Sequence, residues 1–299
     1  MPRTSTRRSS LHSSKYGTVP WYKDEYSVHD QLRVIDTLAK GCGPNTKIPL
    51  VIYGIPNKDC EAGYSNNGLN KNKKDYQAFI NRLSAGSPTQ NMIYIIESDA
   101  MALFVGSKCA QDNKYGERVK YAIKELSKNK NAELYIDVGY WTLMDPVKLV
   151  SITKAVNDVA GTSANVKGIA LNTANYRKTE EMLDLCGKFV TGSGRTGAKC
   201  IIDTSRNHKG PTSKNEWCNA RSTGIGVPPT VMPKDPRAAY YLWVKPPGES
   251  DGTCTKQTSG ESLVGPKAGT FFAKHFAMLW NNGYPVEAAQ KAKQKALRS

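Results

Sequence analysis

Long apolar runs are missing from this 299-residue chain. No stretch approaches the roughly 20 apolar residues that a membrane-spanning helix needs, so no membrane partner is expected. None of the seven cysteines stands in a CxxC pair, which argues against zinc ribbons and thioredoxin-like sites. Seven are also too few for a disulfide-dense miniprotein. The four histidines, His12, His29, His208 and His275, are scattered without metal-ligand spacing. A G-x-S-x-G nucleophile elbow is absent, as are internal repeats and any visible inter-domain linker. The amino terminus lacks the apolar core of a secretory signal.

Charge is present in excess: 42 Lys and Arg against 26 Asp and Glu, a formal net charge of +16. Such an excess often marks a polyanionic partner. Here the cations are spread along the chain, mixed with acids, and no nucleic-acid motif accompanies them, so no nucleic-acid partner is expected. Adhesion to acidic cell-wall polymers is another use for the charge. The one dense basic stretch, residues 3–15, is Ser-rich and has the composition of a disordered tail. Residues 1–17 are read as that tail and 18–299 as a single catalytic domain.

Short aliphatic or β-branched runs lie at 48–55, 92–97, 133–138, 166–171, 199–203 and 240–244, with a further candidate at 18–22. Amphipathic stretches separate them: Tyr76, Phe79, Ile80 and Leu83; Val119, Ala122, Ile123 and Leu126; Met182, Leu185, Cys186 and Phe189. A last helix is expected over 268–280. Continuous apolar strands alternating with helices predict a parallel sheet covered by helices, an α/β fold of the β/α-barrel type. An open doubly wound sheet is the alternative, but that fold usually carries a Gly-rich loop after its first strand. The nearest candidate, SGRTG at 193–197, precedes a strand and reads as a turn.

Chemistry in parallel β/α folds collects at the carboxyl ends of the strands. Here those ends carry Tyr53 and then Asp59; Glu97 and Asp99; Asp137, Tyr140 and Trp141; Asn172 and Asn175; Asp203 and Arg206; and Lys245, Glu249 and Asp251. A strand-end carboxylate can also serve as a helix cap, but caps alone do not explain six such ends. Carboxylates among amides and aromatic rings suit glycoside hydrolysis, in which one acid protonates the leaving oxygen and a second carboxylate or an activated water completes the reaction.

At these residues the chain resembles glycoside hydrolase family 6, over roughly residues 48–282. The motifs are VIYGIPNKDC at 51–60, IIESD at 95–99, GIALNTANY at 168–176, IDTSRN at 202–207 and WVKPPGESDG at 243–252, in the family's order. The resemblance implies a distorted parallel β/α barrel of about seven strands, acting as a monomer without metal or organic cofactor. It implies inverting cleavage of β-1,4-glucan or cello-oligosaccharides. Asp99 matches the general acid and Asp59 the aspartate that keeps it protonated, since two carboxylates sharing a site cannot both ionise cheaply. Tyr53 matches the tyrosine beside the distorted sugar, Ser65 the serine that holds the attacking water, and Asp251 the proposed base, with a water relay as the competing view. Lys245 and Glu249 match groups that bond sugar hydroxyls, and Trp217 a sugar-stacking ring. Trp21, Tyr140, Trp141, Asn172 and Asn175 complete the expected binding set.

Disulfides Cys60–Cys109 and Cys218–Cys254 follow from the same resemblance and imply a secreted protein. Cys186 and Cys200 read as buried free thiols, and Cys42 has no assigned partner. Tyr140 departs from the family's usual histidine and Lys58 from its common arginine. Short loops after Asp59 and Asp251 suggest an open cleft and endo action. A glucan-binding scaffold on the same fold remains the alternative.

Overall fold

The computed structural model describes residues 16–43, 45–213 and 216–296. The expected tail falls outside them, apart from Tyr16 and Gly17. The chain forms two compact bodies interleaved in sequence, one of residues 20–173 and 183–201, the other built from 16–19, 174–182 and 202 onward.

The first body alternates strands and helices. They are β1 (Trp21–Lys23), α1 (Val28–Gly41), β2 (Ile48–Tyr53), α2 (Lys73–Gly86), β3 (Met92–Ile96), α3 (Ala100–Gly106), α4 (Lys108–Asp112), α5 (Tyr115–Leu126), β4 (Glu133–Asp137), α6 (Tyr140–Met144), α7 (Pro146–Ala160) and β5 (Val166–Leu171). Most of α8 (Thr179–Ser193) and the start of β6 (Lys199–Asp203) belong here too. The strands run in the order β1-β2-β3-β4-β5-β6, with the first four pairings parallel.

All five residues of β3 are buried, which is why its sequence is unbroken Met-Ile-Tyr-Ile-Ile: a parallel strand covered on both faces has no solvent side. Helix α2 buries Tyr76, Phe79, Ile80 and Leu83, and Asn72 caps it by accepting from the N–H groups of Lys74 and Asp75. Asp145 and Pro146 start α7 in the same manner. At Gly168 a Cβ would stand 1.7 Å from the Lys199 carbonyl oxygen, so only glycine lets β5 lie so close to that backbone.

The second body holds the end of β6, then β7 (Thr230–Val231), β8 (Ala238–Leu242), α9 (Ala273–Asn281) and α10 (Tyr284–Ala296). Its strand order is β6-β8-β7, with β7 antiparallel to β8. Ile225, Trp243 and Leu279 form a core cluster, against which Tyr16, Phe276 and Trp280 pack.

The α/β class and its parallel strands match expectation, with eight strands among the described residues where about seven were expected; the unforeseen one is the two-residue β7. The last helix of the sequence reading begins at Ala273, after a loop longer than expected. Both disulfides implied by the resemblance are present. The free-thiol expectation for Cys186 and Cys200 is overturned: they bond to each other, tying α8 to β6. Cys42 is free. Among the described residues no helix is long and apolar enough to cross a membrane.

Candidate active site

Strand register brings four acidic residues of the first body together, Asp59, Glu97, Asp99 and Asp137. Ile52 pairs with Ile96 and Ile96 with Ile136, so the loops after β2 and β3 and the end of β4 emerge side by side. Glu97 comes first and turns inward. Its Oε2 accepts from the N–H groups of Gly54 at 2.9 Å and Ile55 at 3.2 Å, and its Oε1 from the Tyr76 hydroxyl at 2.9 Å. Burial still pushes the Glu97 carboxyl up to about 8, against the pull of those hydrogen bonds.

Glu97→Ala should therefore destabilise the chain by about 3 kcal/mol, because two buried N–H groups and a hydroxyl lose their acceptor. Glu97→Gln keeps an acceptor and should cost far less. The sign of the pH effect follows from the raised value: the native state holds a proton that the unfolded chain releases between 4.5 and about 8, so stability falls as pH rises through that window. Urea titrations at pH 5 and pH 8 should show a flatter dependence for Glu97→Gln.

Asp99 follows in the left-handed region, at φ 63°. Its backbone N–H donates to Asp137 Oδ1 at 3.0 Å, and the Gly139 N–H reaches the same oxygen at 3.2 Å. Asp99 as a residue is partly exposed, yet its Oδ1 is buried without a hydrogen-bond partner. Burial raises the Asp99 carboxyl well above the usual range, followed by the charges of Asp137 and then Asp59. Asp59 lies on the loop after β2, where its Oδ2 accepts from the Ser65 N–H at 2.7 Å. Burial raises it as well, opposed by the N–H groups of residues 63–65 and by Lys58.

Tyr53 is half-buried at the end of β2, its phenol raised by burial and by Asp59 and Asp99. Trp21 meets it edge-on at 5.5 Å. Lys58 turns away from solvent to Asp24, 2.6 Å away, and sits 5.2 Å from the Tyr53 ring centre. The Cys60–Cys109 disulfide anchors the same loop to α4. Tyr140 and Trp141 open α6 with their rings edge-on at 5.4 Å, Tyr140 being buried. Asn172 is buried just beyond β5 at φ 66°.

The second body gathers Asp251, Arg206 and Tyr176. Arg206 is fully buried, and its Nη1 donates to the two Asp251 oxygens at 2.9 and 3.0 Å and to the Tyr176 hydroxyl at 2.7 Å. Asp251 Oδ2 also accepts from the Tyr176 hydroxyl and from the Asn219 N–H. Burial alone would raise Asp251, but Arg206, Lys245 and these donors together hold it below the usual carboxylate range. Burial lowers the Lys245 ammonium, which lies 3.5 Å from Glu249. Trp217 donates through Nε1 to the Gln257 carbonyl at 2.9 Å, beside the Cys218–Cys254 disulfide, and Asn175 is buried. Among the described residues no group of His, Cys, Asp and Glu could hold a metal ion.

Residues 3–283 match the family model described as Glycosyl hydrolases family 6. The chain belongs to that family. The match begins at residue 3, well ahead of the 48 read from the motifs. The 1,4-β-D-glucan cellobiohydrolase C of Emericella nidulans is 30% identical over 83% of this chain and 64% of its own length. Endoglucanase A of Thermobispora bispora is 29% identical over 84% of this chain and 54% of its own. The chain thus spans under two thirds of either relative. Among solved structures, the endoglucanase Cel6 of Mycobacterium tuberculosis, in complex with methyl-cellobiosyl-4-deoxy-4-thio-β-D-cellobioside, has a TM-score of 0.74 at 25% identity. It covers 94% of this chain and 95% of its own.

Within this family 6 chain, the structure brings Trp21, Tyr53, Asp59, Ser65 and Asp99 together in the first body, and Lys245, Glu249 and Asp251 in the second. Four residues had no assigned role and prove central. Asp137 outranks Asp59 in raising Asp99, Glu97 shapes the backbone beneath it, and Arg206 with Tyr176 occupies Asp251. All four lay inside strand-end motifs; their partners lay elsewhere in the sequence.

Proposed function

We propose that this chain hydrolyses β-1,4-glucosidic bonds in cellulose or a related β-glucan with inversion, Asp99 donating the proton to the leaving oxygen. The observation that carries this is the state of Asp99. A carboxyl raised by burial and by two neighbouring aspartates stays protonated where an ordinary aspartate would not, and its unpartnered Oδ1 is free of internal hydrogen bonds. Tyr53 and Trp21 would lie against the sugar at the cleavage point. Ser65 and Asp59, joined by a backbone hydrogen bond, would hold the attacking water. Trp217, Lys245, Glu249, Asn172, Asn175, Tyr140 and Trp141 would bind neighbouring sugars.

Asp251 is a poor acceptor for the water's proton, because its oxygens already receive Arg206, Tyr176 and Asn219. A weak Brønsted base gives little driving force. A relay through water toward Asp59 fits these contacts better. We place the cut inside chains, in endo mode. The loop beyond Asp251 is held down on its own body, with Thr212 and Ser213 donating to Glu261, Ser262 donating to Glu216, and the Cys218–Cys254 disulfide. That anchoring supports an open cleft. Three disulfides suit an oxidising compartment, hence a secreted protein.

Proton NMR of cellopentaose in the first minutes of reaction tests the chemistry. New α-anomer ahead of mutarotation is the expected result. New β-anomer would overturn inversion, and binding without cleavage would favour a scaffold. On carboxymethylcellulose, endo action predicts an early fall in viscosity with few reducing ends formed; reducing ends accumulating at nearly constant viscosity would reverse that assignment.

A further inference from the structure

We propose that the outer face of the first body carries a second carbohydrate site, a basic groove that binds an anionic polysaccharide of the polyuronate class. The groove runs between α2, α5 and the turn after α7, with a volume of about 690 Å³. Lys73, Arg118, Lys120, Lys124 and Lys130 line it, against a single acid, Glu117. Among the described residues none of the five cations has an ion-pair partner, whereas Lys128 close by is paired with Glu125. The four lysines are exposed, and Arg118 is half-buried, with its Nε buried and making no hydrogen bond. Like charges kept unneutralised around a concavity focus a positive potential there.

The rest of the lining points to a sugar chain. Gln77 and Thr162 offer an amide and a hydroxyl to a polyol, while the Ser163 hydroxyl is bonded to that of Ser127 at 2.8 Å. Sites for single-stranded nucleic acid stack bases on several aromatic rings. Here the half-buried ring is Tyr121, its hydroxyl already bonded to Asn81 at 2.7 Å. Tyr76, the other ring of the lining, is wholly buried. Lys120 and Lys124 stand one helical turn apart on α5, about 6 Å along its axis. That places both ammonium groups on the same face of the helix, along the groove. The surplus charge of the chain thereby has a specific place of action, separate from the carboxylates of the candidate active site.

The test compares the intact protein with Lys120→Glu/Lys124→Glu, and with Lys188→Glu/Lys199→Glu as a control. The control changes net charge equally at exposed positions outside the groove. Binding to fully de-esterified polygalacturonate is measured by co-sedimentation at low salt and at 0.3 M salt, where the Debye length is about 6 Å. The groove variant should bind about tenfold or more weakly, the control within about twofold of the wild type, and added salt should weaken wild-type binding. Hydrolysis of cellopentaose and the melting temperature should be unchanged in both variants. Equal loss in both variants would leave only net charge and no site. Binding of polyuridylate RNA as tight as that of polygalacturonate would overturn the assignment to uronate chains.

Discussion

Asp99→Asn is expected to lower kcat on cello-oligosaccharides by about 10²–10⁴-fold, the usual worth of a positioned general acid. The amide keeps the shape of the side chain but has no transferable proton. KM should stay within a few-fold, since the proton matters only as the glycosidic oxygen departs. A dinitrophenyl cellobioside, whose leaving group needs no protonation, should lose far less. The same substitution should also stabilise the fold. The Asp99 carboxyl is raised above its ordinary 3.8, so the native state keeps a proton that the unfolded chain gives up. Stability therefore falls as pH rises above 3.8 toward the native value. Asparagine removes that loss, so its gain in melting temperature should be larger at pH 7 than at pH 4. Undiminished turnover of unactivated substrates would move the acid role away from Asp99, with Asp137 the nearest candidate.

Much of this scaffold is legible because parallel strands buried on both faces read as apolar runs; β3 is the clear example, and in β5 only Lys167 breaks the run. Helix α1 escaped notice for the opposite reason: it buries only Gln31 and Ile35, while Val28 and Leu32 face water. Strand β7, two exposed residues long, has no pattern to read. Cys186 and Cys200 show a different limit. A cystine buried between helix and strand sits in the same apolar pattern as a free thiol, and only distance decides.

At the candidate site the residue types were legible but their states were not. Glu97 and Ala174 adopt positive φ, unusual for side chains without the local hydrogen bonding of Asn or Asp, and nothing in their identities announces it. Such strain concentrates at functional loops. Likewise, the sequence placed Arg206 and Asp251 on strand ends, but their contact joins residues 45 positions apart. Without that contact Asp251 looks like a free base; with it, the carboxylate is already spoken for.

Removing that contact should produce the largest loss of stability. Arg206→Met keeps an unbranched side chain but leaves Asp251 with the Tyr176 hydroxyl, the Asn219 N–H and the weaker pull of the Lys245 charge. Breaking one partner of a buried pair costs about 3–5 kcal/mol, here roughly 10 °C in melting temperature. The pH signature separates this from loss of packing. In the native protein Asp251 lies below 3.8, so its contribution is full above 3.8 and fades as pH falls through the native value. In Arg206→Met, burial without the guanidinium raises the carboxyl instead, and the variant should recover part of its stability on acidification from pH 7 to pH 4. Pairing it with Asp251→Leu removes the stranded charge, so the double variant should melt above the single one, as a coupled cycle requires. A penalty for Arg206→Met under about 1 kcal/mol would place the pair in the range of solvated ion pairs, and Asp251 would then be free to act as the base. A penalty of the buried size ties Asp251 to the guanidinium, and the proton of the attacking water must leave by another route.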